Sequence, residues 1–298
     1  MNVERLRRSL LLVPASDRGG VAAAAASDAD AVILDLEDTV ARAVKPRALD
    51  HALEAVGKLD FGHKEVIVRV NALNTMQGRR DLEAVVAARP HAICLPKIAT
   101  AADILRVEHT VGELEARHGF GPGAIRFHVM LETASGVLHA SEIARSSLRI
   151  DAVLYGGGDY VRETQGAATP DRTEQLFAMT LVLLAARTAF LDPIDSAALG
   201  VSEAAVVKEA QQARALGFGG KTIMNPRHAD VVHRVFTPGP EAVERAQRVI
   251  KAYHEAEAAG MGVLEIEGHV VDAAQVRIAR RIIRQVEMAA AQRLREGE

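Results

Sequence analysis

Eight short runs rich in Val, Ile, Leu and Ala recur through the chain, each separated from the next by a longer amphipathic stretch. The runs are Ser9–Pro14, Ala31–Leu36, Glu65–Val70, Ala92–Pro96, Ile125–Leu131, Ala152–Gly156, Phe190–Ile194 and Lys221–Met224. Several are almost continuously apolar, the pattern of parallel strands covered by helices on the outside and by each other within. Eight strand–helix alternations predict a closed (β/α)8 barrel rather than an open sheet, and 298 residues comfortably hold one, since such barrels need about 250. The seventh run is the weakest of the set. After the eighth, Thr237-Pro-Gly-Pro240 interrupts the alternation. A long helix from about Glu241 to Ala259, a hairpin or extended arm over Gly262–Val271 and a final amphipathic helix are predicted to follow. Residues 1–236 are therefore read as the catalytic barrel and 237–298 as a helical and hairpin extension of it.

Composition narrows the partners. The net charge is -3 with both signs interspersed, aromatic residues make up 3 % and tryptophan is absent. A nucleic-acid partner would demand a basic stripe or stacking platforms, so none is expected. The lone cysteine, Cys94, sits in an apolar run and reads as a small core residue rather than a nucleophile. Leu10–Val13 is too short for a signal or membrane segment, so no membrane partner and a cytoplasmic location are expected.

Chemistry in such barrels gathers at the C-terminal ends of the strands, so the polar residues that end each apolar run are the candidates. They are Asp35, Glu37 and Asp38, then Arg69 and Asn71, then Lys97, Glu132, Asp159 and Asn225. Glu132 shares the strand face of His128 and Met130. It is either a carboxylate at the start of the next helix, with Thr133 as the cap, or a ligand for a cation. Asp159 follows Gly156-Gly-Gly158, and is either a helix cap or a second ligand. Two hard oxygen donors with no cysteine nearby suit magnesium, which takes one or two protein carboxylates and keeps water or substrate in its other positions. Arg69, on the face of Ile67 and Asn71, needs an anion. Either Asp35 or Glu37 supplies it internally, or a substrate carboxylate takes the guanidinium through two parallel hydrogen bonds. Gly217-Phe-Gly-Gly-Lys-Thr222 is no phosphate loop, because the leading glycine would fall at Ala215 and the segment runs from helix to strand.

Arg8-Ser-Leu-Leu-Leu-Val-Pro14, Asp30-Ala-Val-Ile-Leu-Asp-Leu-Glu-Asp38, Lys45-Pro-Arg47, Val68-Arg-Val-Asn71, Leu95-Pro-Lys97, Leu131-Glu-Thr133, Gly157-Gly-Asp159 and Gly217-Phe-Gly-Gly-Lys221 together resemble the citrate lyase beta subunit family of the HpcH/HpaI aldolase superfamily. The resemblance implies a magnesium-dependent carbon–carbon lyase acting on a β-hydroxyacyl thioester carried by CoA or an acyl carrier. It also implies a homo-oligomer, trimeric or hexameric. A malyl-CoA thioesterase, or a non-catalytic barrel, is the alternative. Magnesium would be held by Glu132 and Asp159, and Arg69 would hold the 2-oxo acid carboxylate. Lys45 and Arg47 would lie near CoA phosphates, or else simply on an exposed helix face. Asp38 is grouped with these substrate-binding residues. Gly268-His-Val-Val-Asp272 resembles the family's lid, whose aspartate completes a neighbouring subunit's site; Asp272 is then a catalytic residue with Arg69 and Glu132, or else the N-cap of the last helix. The chain departs from the family at Gly19-Gly-Val-Ala-Ala23, where a lysine is usual, and at Met224-Asn-Pro226, where Ile-His-Pro is usual. Ile194–Leu199 is shorter than the usual loop.

Overall fold

The computed structural model describes residues 5–198, 202–266 and 268–296. Eight parallel strands close a barrel in chain order. They are β1 (Ser9–Pro14), β2 (Ala31–Asp35), β3 (Glu65–Arg69), β4 (Ala92–Leu95), β5 (Arg126–Leu131), β6 (Ile150–Tyr155), β7 (Asp192–Asp195) and β8 (Gly220–Ile223). Closure is made where Leu10 pairs with Ala31 on one side and Thr222 on the other. The expected (β/α)8 architecture is present. The seventh strand is shifted to Asp192-Pro-Ile-Asp195, where a single aliphatic residue and a proline leave little apolar signal. The sixth begins two residues earlier than its apolar run, at Ile150. Leu199, the end of the stretch after β7, lies outside the described residues.

Side-chain alternation sorts the barrel. Leu10, Leu12, Ala31, Ile33, Ile67, Ala92, Cys94, Met130, Ala152, Leu154 and Ile194 fill its interior. Two residues beyond Ile33, Ile67 and Met130 on the same faces come Asp35, Arg69 and Glu132, so the pattern that packs the core also aims those groups inward at the C-terminal mouth. Cys94 is fully buried and its thiol is held well above the ordinary range by that burial. The reading of it as a core residue holds.

The opposite end is closed by ions. Arg7, just before β1, makes a double hydrogen bond to Glu65 at 2.6 and 2.8 Å, and also reaches Asp192 at 2.7 Å. Outside the sheet, Lys221 and Asp195 are both fully buried and lie 2.8 Å apart. Lys221 also meets the Ser196 carbonyl at 2.6 Å and Glu209 at 3.0 Å, while Arg172 donates to both Asp195 oxygens. Every donor of the Lys221 ammonium is thus accepted, the condition under which a buried ion is tolerable.

Arg7–Arg234 forms one compact unit, and the described residues from Val235 onward belong to a second. The second is built from helix Pro240–Ala258, an antiparallel hairpin of Leu264–Ile266 with His269–Val271, and helix Ala273–Glu296. The two helices pack on each other. Among the described residues no helix is long and apolar enough to cross a membrane.

Asp195→Ala leaves Lys221 and Arg172 buried with Glu209 as their remaining carboxylate. Breaking a buried pair this way costs about 3–5 kcal/mol, so the urea midpoint of this variant is expected to fall well below that of the wild-type protein.

Candidate active site

Asp35 and Arg69 are register partners on β2 and β3. Their side chains meet edge to edge, Arg69 Nε to Oδ1 at 2.6 Å and Nη2 to Oδ2 at 2.7 Å. Burial works to raise the Asp35 carboxyl, but Arg69 outweighs it and holds the group below the usual range. Of the two partners open to Arg69, the internal acid is thus present, and the Nε–Nη2 edge is committed. What remains is the Nη1 end, which lies 3.3 Å from Glu37 Oε2 and, among the described residues, donates only to the Met130 sulfur, at 3.6 Å.

Lys97 joins this pair to the next strand ends. It follows β4 with φ of 53°, a left-handed conformation uncommon outside glycine. Its amide donates to Glu132 Oε1 at 2.8 Å, while its ammonium donates to Glu37 Oε1 at 2.5 Å and Asp38 Oδ2 at 3.0 Å. Glu37 Oε2 is buried without a hydrogen-bond partner. Desolvation raises the Glu37 carboxyl above its ordinary range despite Arg69 and Lys97.

Glu132 is 2 % exposed. Thr133 caps the helix Ala134–Leu138 by accepting from the Gly136 amide at 3.0 Å, so Glu132 is free of that duty. Its carboxyl is pushed up to about 8, first by burial and then by the charges of Glu37 and Asp159. Asp159 is likewise not a cap. It stands in the first turn of helix Gly157–Thr164, whose cap position is Gly156, and pairs with Arg162 one turn on. The glycines explain how the two acids come together. A Cβ at Gly156 would fall 2.3 Å from Glu132 Cβ and 2.6 Å from its Oε2, and one at Gly157 would fall 2.5 Å from Gln175 Oε1. Only glycine lets this backbone lie against the carboxylate.

The arrangement crowds Asp35, Glu37, Asp38, Glu132 and Asp159 around two inward cations, Arg69 and Lys97. Glu132 Oε1 is held by an amide, and Oε2 carries no hydrogen bond among the described residues. A divalent cation fits such a deficit, and all the donors are hard oxygens. No cluster of three or more His, Cys, Asp or Glu with ligand geometry exists among the described residues. One or two protein carboxylates are the number magnesium usually takes.

Three other expected residues fall differently. The Lys45 ammonium is accepted by Leu36 O at 2.8 Å, Glu37 O at 2.7 Å and Asn71 Oδ1 at 2.5 Å. Its three donors are all used, so it is neither an exposed face residue nor available to a phosphate; it pins the loop after β2. Arg47 is exposed. Asp272 Oδ1 accepts from the amides of Ala274 at 2.7 Å and Gln275 at 3.2 Å, which makes it the N-cap of helix Ala273–Glu296. Glu37, offered with Asp35 as an internal partner for Arg69, lies 3.3 Å from its Nη1, while Lys97 stood in the strand-end ring without an assigned role. The left-handed turn at Lys97 that gives it one leaves no trace in the sequence.

A parallel barrel with a carboxylate-rich C-terminal mouth is the frame of metal-assisted aldolases and lyases. The chain belongs to the HpcH/HpaI aldolase/citrate lyase family, which it matches over residues 8–226. It is 36 % identical over 286 residues to the citrate lyase subunit beta of Escherichia coli, covering 96 % of this chain and 95 % of that one. It is also 36 % identical over 285 residues to the (3S)-malyl-CoA thioesterase of Cereibacter sphaeroides, covering 95 % and 96 %. Among solved structures, protein CitE from Mycobacterium tuberculosis, in complex with magnesium, acetoacetate and coenzyme A, superposes with a TM-score of 0.77 at 28 % identity, over 94 % of this chain and 98 % of that one.

Two outcomes follow. The Glu132 carboxyl, raised from 4.5 to about 8, binds its proton more tightly folded than unfolded. Its contribution to stability is therefore complete below about pH 4.5 and is lost as pH rises through about 8. In chelator-containing buffer, the difference in unfolding free energy between wild type and Glu132→Gln should shift against the wild type across that window. Gly156→Ala should reduce divalent-cation affinity, measured by calorimetry, by at least about tenfold, as supporting-residue changes at metal sites commonly do.

Proposed function

We propose that this protein is a magnesium-dependent carbon–carbon lyase that splits a β-hydroxyacyl thioester, of the malyl, citramalyl or citryl type, into a 2-oxo acid and a shorter acyl thioester. The observation that carries this reading is the crowding of Glu132 and Asp159 across Gly156, beside the one end of Arg69 that Asp35 leaves open. The relatives support it: the Mycobacterium protein holds magnesium with acetoacetate and coenzyme A, and the enteric one is a citrate lyase subunit.

Glu132 and Asp159 would hold the ion. Magnesium, when bound, supplies Lewis acidity toward a substrate hydroxyl and its neighbouring carboxylate oxygen, easing loss of the hydroxyl proton. Arg69 Nη1 orients that carboxylate, while Asp35 keeps the guanidinium plane fixed and its charge permanent. Lys97 and Asp38 would border the same space, and Arg47, which is exposed, would meet the phosphates of a CoA or acyl-carrier arm. Asp272, which caps the last helix of its own chain, would act in a neighbouring subunit's site, exchanging a proton with the acyl thioester carbon that the cleavage leaves electron-rich. Assembly into a homotrimer or hexamer belongs to the same reading.

A second reading, hydrolysis of the thioester itself, is favoured by the equal identity to the malyl-CoA thioesterase. Product analysis with malyl-CoA and magnesium separates them. Glyoxylate with acetyl-CoA is the lyase result, whereas free malate with CoA is the thioesterase result. Under either chemistry Glu132→Gln and Asp159→Asn should each lower activity by more than about 100-fold, beyond what loss of a merely supporting residue causes. Full activity in both variants would remove the pair from the site.

A further inference from the structure

The Nη1 end of Arg69 faces Glu37 Oε2 at 3.3 Å and the Met130 sulfur at 3.6 Å. The Glu37 carboxylate stands between two cations, and its two oxygens are treated unequally. Oε1 is drawn to the Lys97 ammonium at 2.5 Å, whereas Oε2 stops 3.3 Å from Arg69 Nη1 without completing a hydrogen bond. The Lys97 backbone is left-handed at φ 53°, its amide donates to Glu132 Oε1, and Asp38 accepts from the same ammonium at 3.0 Å. A buried oxygen with no partner is costly. Glu37 would relieve that cost by rotating onto Arg69 if Lys97 let go, and would then occupy the Nη1 end that a ligand carboxylate needs.

We infer that Lys97 is a positioning residue that restrains Glu37 and thereby keeps Arg69 Nη1 open for the carboxylate of the 2-oxo acid part of the substrate. The inference rests on the function proposed above. It adds a second consequence of opposite sign. Lys97 is a resident positive charge beside the acids, so it opposes a divalent cation at Glu132 and Asp159 while favouring an organic anion at Arg69. A residue that simply supported the fold would strengthen or weaken both.

Two titrations by calorimetry test this, magnesium alone into chelator-treated protein, then pyruvate into magnesium-saturated protein. In Lys97→Met the magnesium Kd should fall by about threefold to tenfold, the scale of one unit charge removed at short range in a screened site. The pyruvate Kd should rise by about tenfold, equivalent to about 1.4 kcal/mol. Lys97→Arg should leave both close to wild type. The double variant Lys97→Met with Glu37→Gln should regain pyruvate affinity to within about threefold of wild type, because the competing carboxylate is gone. Glu37→Gln alone should bind pyruvate at least as tightly as wild type, which keeps the test decisive if Lys97→Met does not fold. Parallel loss of both ligands in Lys97→Met, no change in either, or weaker pyruvate binding in Glu37→Gln would overturn the role of Lys97. Failure of the wild-type protein to bind magnesium or pyruvate at all would instead overturn the functional reading, and this inference with it.

Discussion

The backbone at Gly156 passes against the Glu132 carboxylate at a separation no Cβ could occupy. From that contact the rest of the mouth follows. It brings the first turn of helix Gly157–Thr164, and Asp159 with it, beside an acid already buried at the end of β5. Two carboxylates are thereby forced into one poorly solvated space, and the proton affinity of Glu132 rises as a result. Repulsion of this kind is relieved either by a proton or by a cation.

Buried charge is gathered at both ends of the barrel, and at the N-terminal end His128, 3.5 Å from Glu65, is also buried with neither ring nitrogen in a hydrogen bond among the described residues. At the N-terminal end Arg7 meets Glu65, and outside the sheet Arg149 meets Glu115 at 2.7 Å while Lys221 meets Asp195. These groups are matched, and their partners are fixed by several hydrogen bonds each. Buried pairs of this kind contribute specificity of geometry more than net stability. At the C-terminal end, Arg69 and Asp35 make one such matched pair, while Glu37 Oε2 and Glu132 Oε2 accept no hydrogen bond among the described residues. Incomplete pairing is tolerated where a ligand completes it.

Much of the barrel could be read in advance because strands covered on both sides are written as uninterrupted apolar runs, and Ala31-Val-Ile-Leu34 or Ala92-Ile-Cys-Leu95 admit little else. The seventh strand was hard to place because Asp192 and Asp195 serve ion networks, leaving Pro193 and Ile194 as its only apolar residues. Glu132 and Asp159 are legible from position, the first directly after an apolar run and the second after the three glycines that follow one, but sequence alone does not separate either from a helix cap, a role that Thr133 and Gly156 fill in the structure. Arg69 presented two partners, and the structure supplies the internal one. Lys45 could not be placed correctly from sequence. Its acceptors come from Leu36, Glu37 and Asn71, which only the packing of β2 beside β3 brings together. The role of Lys97 was hidden for a related reason, as its left-handed backbone is imposed by the fold on a residue that does not prefer it.

The central claim is that Glu132 and Asp159 together bind a divalent cation. Crystals of the protein soaked with manganese, a magnesium surrogate that scatters anomalously, test it most directly. The account predicts an anomalous difference peak within ligand distance of one oxygen of each carboxylate, about 2.0–2.2 Å. It also predicts that the peak vanishes in Glu132→Gln crystals soaked identically. A peak at other residues only, or one that persists unchanged in the variant, would contradict it.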